Sequence, residues 1–279
     1  MAEEKRSRLR FPNFKLRAVT LSYDDGQIHD EKMLEIISKY GIKCTFNICS
    51  GCYGNAEHYN NLPKEKAIEL YNKYGVEVAV HGKNHLALTE VSKGVALKDV
   101  IECREDLEND FGRIIRGFAY AYGVYNDDVI DILKTCGIVY ARTVGGTENF
   151  VLPLDWLRWQ GTCHHQNPKL MELVDEFLSE PKTNYFWHTY PRLFYLWGHS
   201  YEFNNNNNWD LLEEFCKKVG NRKDIWCATN MEIYDYVTAF DNLVYSANGK
   251  IIYNPSNIDV FVCINGQNIM IPKNQSVEI

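Results

Sequence analysis

At 279 residues and 45% apolar, the chain can bury a large core, as one α/β domain or one domain with a small appendage. A net charge of −7 offers no basic face for nucleic acid, and no apolar run is long enough to span a membrane. Charge without an apolar stretch near the start does not read as a secretory signal, and nine cysteines set mostly within helix-like and strand-like segments suit buried thiols, so a cytoplasmic protein is expected.

In chain order, residues 17–23 read as a strand, 31–40 as a helix stopped by Gly41, and 43–48 as a strand. A helix is expected over 63–73, with Pro63 in its first turn and Gly75 past its end, before a strand over 76–80. Leu97, Val100, Ile101, Leu107 and Phe111 form a stripe at helical spacing, ended by Gly112. Then come a strand over 114–122, a helix over 127–136 and a strand over 138–142. A Trp-rich irregular stretch follows, and after it helix 168–179, strand 193–197, helix 209–219, strand 225–228 and helix 231–240. The asparagine run 204–208 reads as a loop. This alternation predicts an α/β fold, a distorted (β/α) barrel of about seven parallel strands spanning residues 1–248. Residues 249–279 change character. Short strands broken by Asn254-Pro255 and Asn265-Gly266 predict a small antiparallel β-hairpin appendage.

Two strings carry the chemistry. Asp24-Asp25-Gly26 ends the first barrel strand, and His81-Gly-Lys-Asn-His85 follows the strand over 76–80. Alone, the triplet reads as a turn and the histidine pair as incidental. At the ends of parallel strands, they bring two carboxylates and two imidazoles to one rim. One Asp and two His make a three-ligand site for a catalytic divalent metal, and the second carboxylate is left to act on water. Cys49-Ser-Gly-Cys52 has metal or redox spacing but no second pair, and reads as structural.

With LSYDDG at 21–26 and HGKNHLALT at 81–89, residues 17–240 resemble the polysaccharide deacetylase family, also known as the NodB-homology domain or the family-four carbohydrate esterases. The resemblance implies a distorted (β/α)₇ barrel and metal-dependent removal of acetyl groups from N-acetylglucosamine polymers or O-acetylated xylan. It implies Asp24 as general base, Asp25, His81 and His85 as metal ligands, and His199 of Leu196-Trp-Gly-His199 as general acid. Tyr122 then supplies an N–H to the oxyanion, while Trp156 and Leu196 line the acetyl pocket. Zn²⁺ is the default metal, with Co²⁺, Ni²⁺ or Fe²⁺ also suited to the ligand set.

One motif departs from the pattern. Gly117-Phe-Ala-Tyr-Ala-Tyr-Gly123 has Ala119 and Ala121 where Arg and Pro are expected, so the Arg that contacts the base and pairs with Asp155 is missing. Arg142 or Arg158 is expected to approach Asp155 and substitute. His164, His165 and His188 compete with His199 for the acid's role. Hydrolysis of a non-sugar amide or ureide, and a binding protein with impaired turnover, stand as alternatives to an acetylated carbohydrate substrate.

Overall fold

The computed structural model describes residues 7–55, 60–180 and 190–279, so His188 lies outside the described residues. The barrel strands are β2 (Arg17–Asp24), β3 (Cys44–Ile48), β4 (Glu77–Val80), β5 (Gly117–Ala119), β6 (Tyr140–Gly146), β7 (Trp159–Gly161), β8 (Cys163–His164) and β9 (Arg192–Gly198); β1 (Ser7–Arg10) precedes them. All neighbouring barrel pairs are parallel. β7 and β8 are two halves of one pass. The first half pairs with β6 and the second with β9, and between them the Thr162 amide donates to the Tyr195 carbonyl at 2.8 Å. That single segment closes a seven-strand ring, the barrel expected from sequence.

Between the strands lie α1 (Asp30–Lys39), α2 (Lys64–Tyr74), α3 (Lys93–Phe111), α4 (Asp127–Thr135) and α5 (Leu170–Leu178). α3 starts where the Ser92 side chain accepts from the Val95 amide and ends at Gly112 in the left-handed region, as capping chemistry requires. The asparagine run is partly helical: α6 (Ser200–Asn205) runs into it, and α7 (Trp209–Val219) follows. No helix of the described residues is long and apolar enough to cross a membrane.

Period-two alternation sorts each strand. On β2, Val19, Leu21 and Tyr23 pack with the helices in the main core, so Ala18, Thr20, Ser22 and Asp24 face the barrel interior. The base of that interior is polar and plugged by α8 (Asn230–Asp241), which follows the short strand β10 (Ile225–Cys227). Fully buried Asn230 accepts from Thr20 Oγ1 at 2.8 Å, donates to Tyr195 Oη at 2.6 Å, and gives its amide to Thr45 Oγ1 at 3.0 Å. Glu77 accepts from the Met231 amide, Thr45 and Tyr140. Burial raises its pKa against these hydrogen bonds.

Beyond α8 come β11 (Val244–Tyr245), β12 (Ile251–Asn254), β13 (Val260–Ile264), β14 (Gln267–Ile271) and β15 (Gln275–Glu278). They form two antiparallel three-stranded sheets, β11–β12–β15 and β1–β13–β14. Asn265 and Gly266, both at positive φ, turn β13 into β14 as the Asn-Gly signal predicts.

Candidate active site

The carboxyl ends of the barrel strands surround a cleft of about 520 Å³ lined by Asp24, Asp25, His81, His85, Tyr122, Trp197 and His199, among others. Asp24 is the last residue of β2, and Asp25 follows at φ 79°, a conformation that is strained for a residue with a Cβ. Three contacts hold it there. Its amide donates to Asn47 O at 2.9 Å, its carbonyl accepts from Asn61, and Gln27 reaches its Oδ2 at 3.4 Å. The turn carrying the histidines is tied to α3 by Asp99, whose carboxylate accepts from the amides of Lys83 and Asn84, each at 3.0 Å. A Cβ on Gly82 would stand 2.6 Å from Asp99 Oδ2, so only glycine admits this clamp.

These supports bring the expected metal ligands together. Asp25 Oδ1 lies 3.6 Å from His81 Nε2 and 3.7 Å from His85 Nε2. His81 Nδ1 is 2.8 Å from the Ala119 carbonyl, which assigns the ring proton to Nδ1 and leaves the Nε2 lone pair facing Asp25. Donor separations near 3.6 Å, with the far ring nitrogen held by a carbonyl, fit a divalent metal. Cys49 Sγ also falls in this group, within 4.8 Å of the Asp25 and His81 donors, a proximity that the sequence reading missed. Its thiol donates to His81 O at 3.3 Å, and burial pushes its pKa up, so here it is a hydrogen-bond donor. All nine cysteines are unpaired.

Asp24 has a different environment. Asn47 donates to its Oδ1 at 2.8 Å, and the fully buried Arg142 donates to its Oδ2. Burial alone would raise its pKa, but Arg142, His81 and His199 outweigh burial and bring it down to about 2. The Arg142 guanidinium also stacks over Trp197, 4.7 Å from the ring centroid. His199 Nε2 lies 3.9 Å from a carboxylate oxygen of each aspartate. Its Nδ1 and backbone amide both meet Glu202 Oε2, at 3.3 and 3.0 Å. Burial works against the charged ring, yet Glu202, Asp24 and Asp25 lift its pKa to about 8. Sequence reasoning did not find Glu202; a carboxylate three residues past a helix-starting histidine was the available signal.

Other expected residues fall elsewhere. Asp155 pairs with Arg158 on the surface and meets neither Arg142 nor the cleft. Trp156 packs edge-on against Trp159 and Tyr234, outside the cleft lining. Leu196 points into the helix-facing core while its neighbour Trp197 lines the cleft, because successive residues of β9 face opposite ways. Tyr122 stands at the rim at φ 57°, its ring 4.7 Å from that of His85. Asn205, from the asparagine run, also reaches the cleft.

Residues 12–141 match the polysaccharide deacetylase family model. The matched stretch is just under half of the chain. It holds Asp24, Asp25, His81 and His85 and stops one residue short of Arg142. Over 139 residues the chain is 29% identical to the poly-β-1,6-N-acetyl-D-glucosamine N-deacetylase of Staphylococcus aureus, covering 46% of this chain and 48% of the relative. The chain thus spans about half the length of the curated relatives it matches. In fold it is similar to a protein of the polysaccharide deacetylase type from Mycobacterium smegmatis, with a TM-score of 0.61 and 17% identity over 84% of this chain and 94% of that one. It is also similar to the Xyl-CE4 domain of a multidomain xylanase from the hindgut metagenome of Trinervitermes trinervoides, with a TM-score of 0.54 and 17% identity over 84% and 99% of the two chains.

Proposed function

We propose that the protein is a metal-dependent hydrolase that removes acetyl groups from an N-acetylated or O-acetylated carbohydrate. One observation carries the reading: adjacent aspartates at the end of β2 sit in opposite environments. Asp25 faces the His81 and His85 imidazoles, whereas Asp24 is held by Arg142 and Asn47, and His199, whose pKa is lifted to about 8, stands 3.9 Å from both.

Asp25, His81 and His85 would hold the metal, with Zn²⁺ first in line and Co²⁺, Ni²⁺ or Fe²⁺ suited to the same donors. Bound there, a divalent ion polarises the acyl carbonyl and acidifies water. Asp24, ionised, takes the proton from the attacking water. Arg142 keeps that carboxylate charged and fixes its direction, the role we assign it in place of the family's missing Arg. His199, protonated, donates to the departing nitrogen or oxygen. Tyr122, at the rim, would offer its N–H to the developing oxyanion. Trp197 supplies an apolar wall suited to an acetyl methyl.

The S. aureus relatives are named for poly-β-1,6-N-acetyl-D-glucosamine, so oligomers of that linkage belong first in the substrate panel, beside chito-oligomers and acetylated xylo-oligomers. The test is acetate release by the Zn²⁺- or Co²⁺-loaded protein, with Asp24→Asn alongside. Release that disappears in the variant supports the reading. Metal bound at Asp25, His81 and His85 with no release from any sugar would overturn it in favour of a non-sugar amide.

A further inference from the structure

The β8–β9 side of the rim holds a second group of donors, two histidines that the proposed reaction does not use and Glu202, which also holds His199. β8 ends at His164, and His165 follows it. Both approach Glu202 on α6, with His164 Nε2 at 3.1 Å and His165 Nε2 at 3.4 Å from Glu202 Oε2. One donor atom from each of the three residues lies within 4.8 Å of the others. A tetrahedral zinc ion with bonds of about 2.1 Å separates its ligand atoms by about 3.4 Å, so the spacing to Glu202 already suits an ion.

His165 supplies an independent sign. Its ring is 1% exposed and stacks between Tyr23 and Phe203, yet neither ring nitrogen has a hydrogen-bond partner. A buried imidazole without partners in a folded protein calls for an explanation. Gly198 makes room for it: a Cβ there would stand 2.1 Å from His165 Nδ1 and 3.2 Å from His164 Nε2. Backed against Gly198 on its Nδ1 side, the ring presents Nε2 to Glu202. His164 is partly exposed and lines the cleft, which gives an ion a way in.

We propose that His164, His165 and Glu202 form a second zinc site beside the first, separate from the Asp25, His81 and His85 ligands. It is the weaker of the two. The Gln166 amide donates to His164 Nδ1 at 3.1 Å, so coordination through Nε2 requires the opposite tautomer and gives up that hydrogen bond. Glu202 also holds His199, so an ion here competes with His199 for one carboxylate.

Equilibrium dialysis of the purified protein against Zn²⁺ tests this directly. The expected result is two ions per chain, with one retained by His81→Ala, which removes the first site, and one retained by His165→Gln, which removes the second. Circular dichroism checks that each variant is folded. If His165→Gln is not, His164→Gln at the more exposed position replaces it. Because His81→Ala reports on the second site alone, the result stands whatever the reaction of the first proves to be. A single ion, lost in His81→Ala and kept in the His164 or His165 variant, would overturn the proposal and leave the cluster as hydrogen-bonded packing only.

Discussion

Ala119 and Arg142 are register partners on the adjacent parallel strands β5 and β6. Ala119 gives its carbonyl to His81 Nδ1, and Arg142 gives its guanidinium to Asp24. The family pattern puts an Arg where Ala119 stands. Here the guanidinium reaches the proposed base, Asp24, from one strand further along, at the same level of the barrel.

Replacing Arg142 therefore tests the base. Arg142→Ala is expected to lower kcat by about a hundredfold with a smaller effect on KM, the signature of a lost positioning and proton-transfer contribution. The Asp24 pKa should rise as its main cationic neighbour disappears, which moves the acid limb of the pH–rate profile upward. Arg142→Lys, which keeps the charge, should recover part of the rate. Unchanged acetate release in the alanine variant would remove Arg142 from the mechanism.

The pH profile follows from the two shifted groups. In the proposed reaction His199 acts only while protonated, so activity should hold through neutrality and fall as pH rises through about 8. Asp24, as the proposed base, acts only while ionised and stays so down to about pH 2, so it should not limit the rate near neutrality. Glu202→Gln removes a group that raises the His199 pKa, and the alkaline limb should shift to lower pH. A limb that stays in place when kcat/KM is measured through the alkaline range would assign it to another group.

Asp99 touches no proposed ligand, yet it fixes the turn between His81 and His85. Asp99→Ala should weaken binding at the first metal site by about 10- to 100-fold, the usual effect of losing a group that orients ligands. Competition against a zinc chelator measures it. Equal affinity in the variant would mean that the turn keeps its shape without the clamp.

At the other end of the barrel, Asn230→Ala removes the buried side chain to which Thr20 and Tyr195 bond, while the backbone amide still reaches Thr45. The expected loss is about 2–3 kcal/mol in urea unfolding, with zinc affinity at the rim unchanged. A loss of metal binding as large as the loss of stability would mean that the base plug and the rim are coupled.

Legibility in the sequence tracked how local each signal is. Asp24, Asp25, His81 and His85 are legible because strand ends and short spacings place them, and His199 through the resemblance of Leu196-Trp-Gly-His199 to a family motif. The segment 159–164 was read as irregular, since two half-strands pairing on opposite sides show no alternation long enough to detect. Leu196 lies outside the cleft because a one-residue change of face is set by strand register, which pattern does not fix, and Trp156 lies outside it on a short helical turn, Trp156–Arg158, that packs against Trp159 and Tyr234. Of the two arginines expected at Asp155, Arg158 is the one that pairs with it, and Arg142 instead meets Asp24. That choice depends on the β5–β6 register, a long-range property.

The strand Ser7–Arg10 pairs with β13 from the far end of the chain, and Tyr236 joins the two to α8 by donating to Arg10 O and accepting from the Phe261 amide. The described chain is fastened where its beginning and its end meet, like the overlapping ends of a belt. Cutting it after residue 248 would leave β1 without the strand it pairs with and uncover one side of the helix that plugs the barrel. A chain instead joined through its termini and reopened at the Asn248-Gly249 turn would keep the clasp whole, which makes that turn the better place to cut or insert.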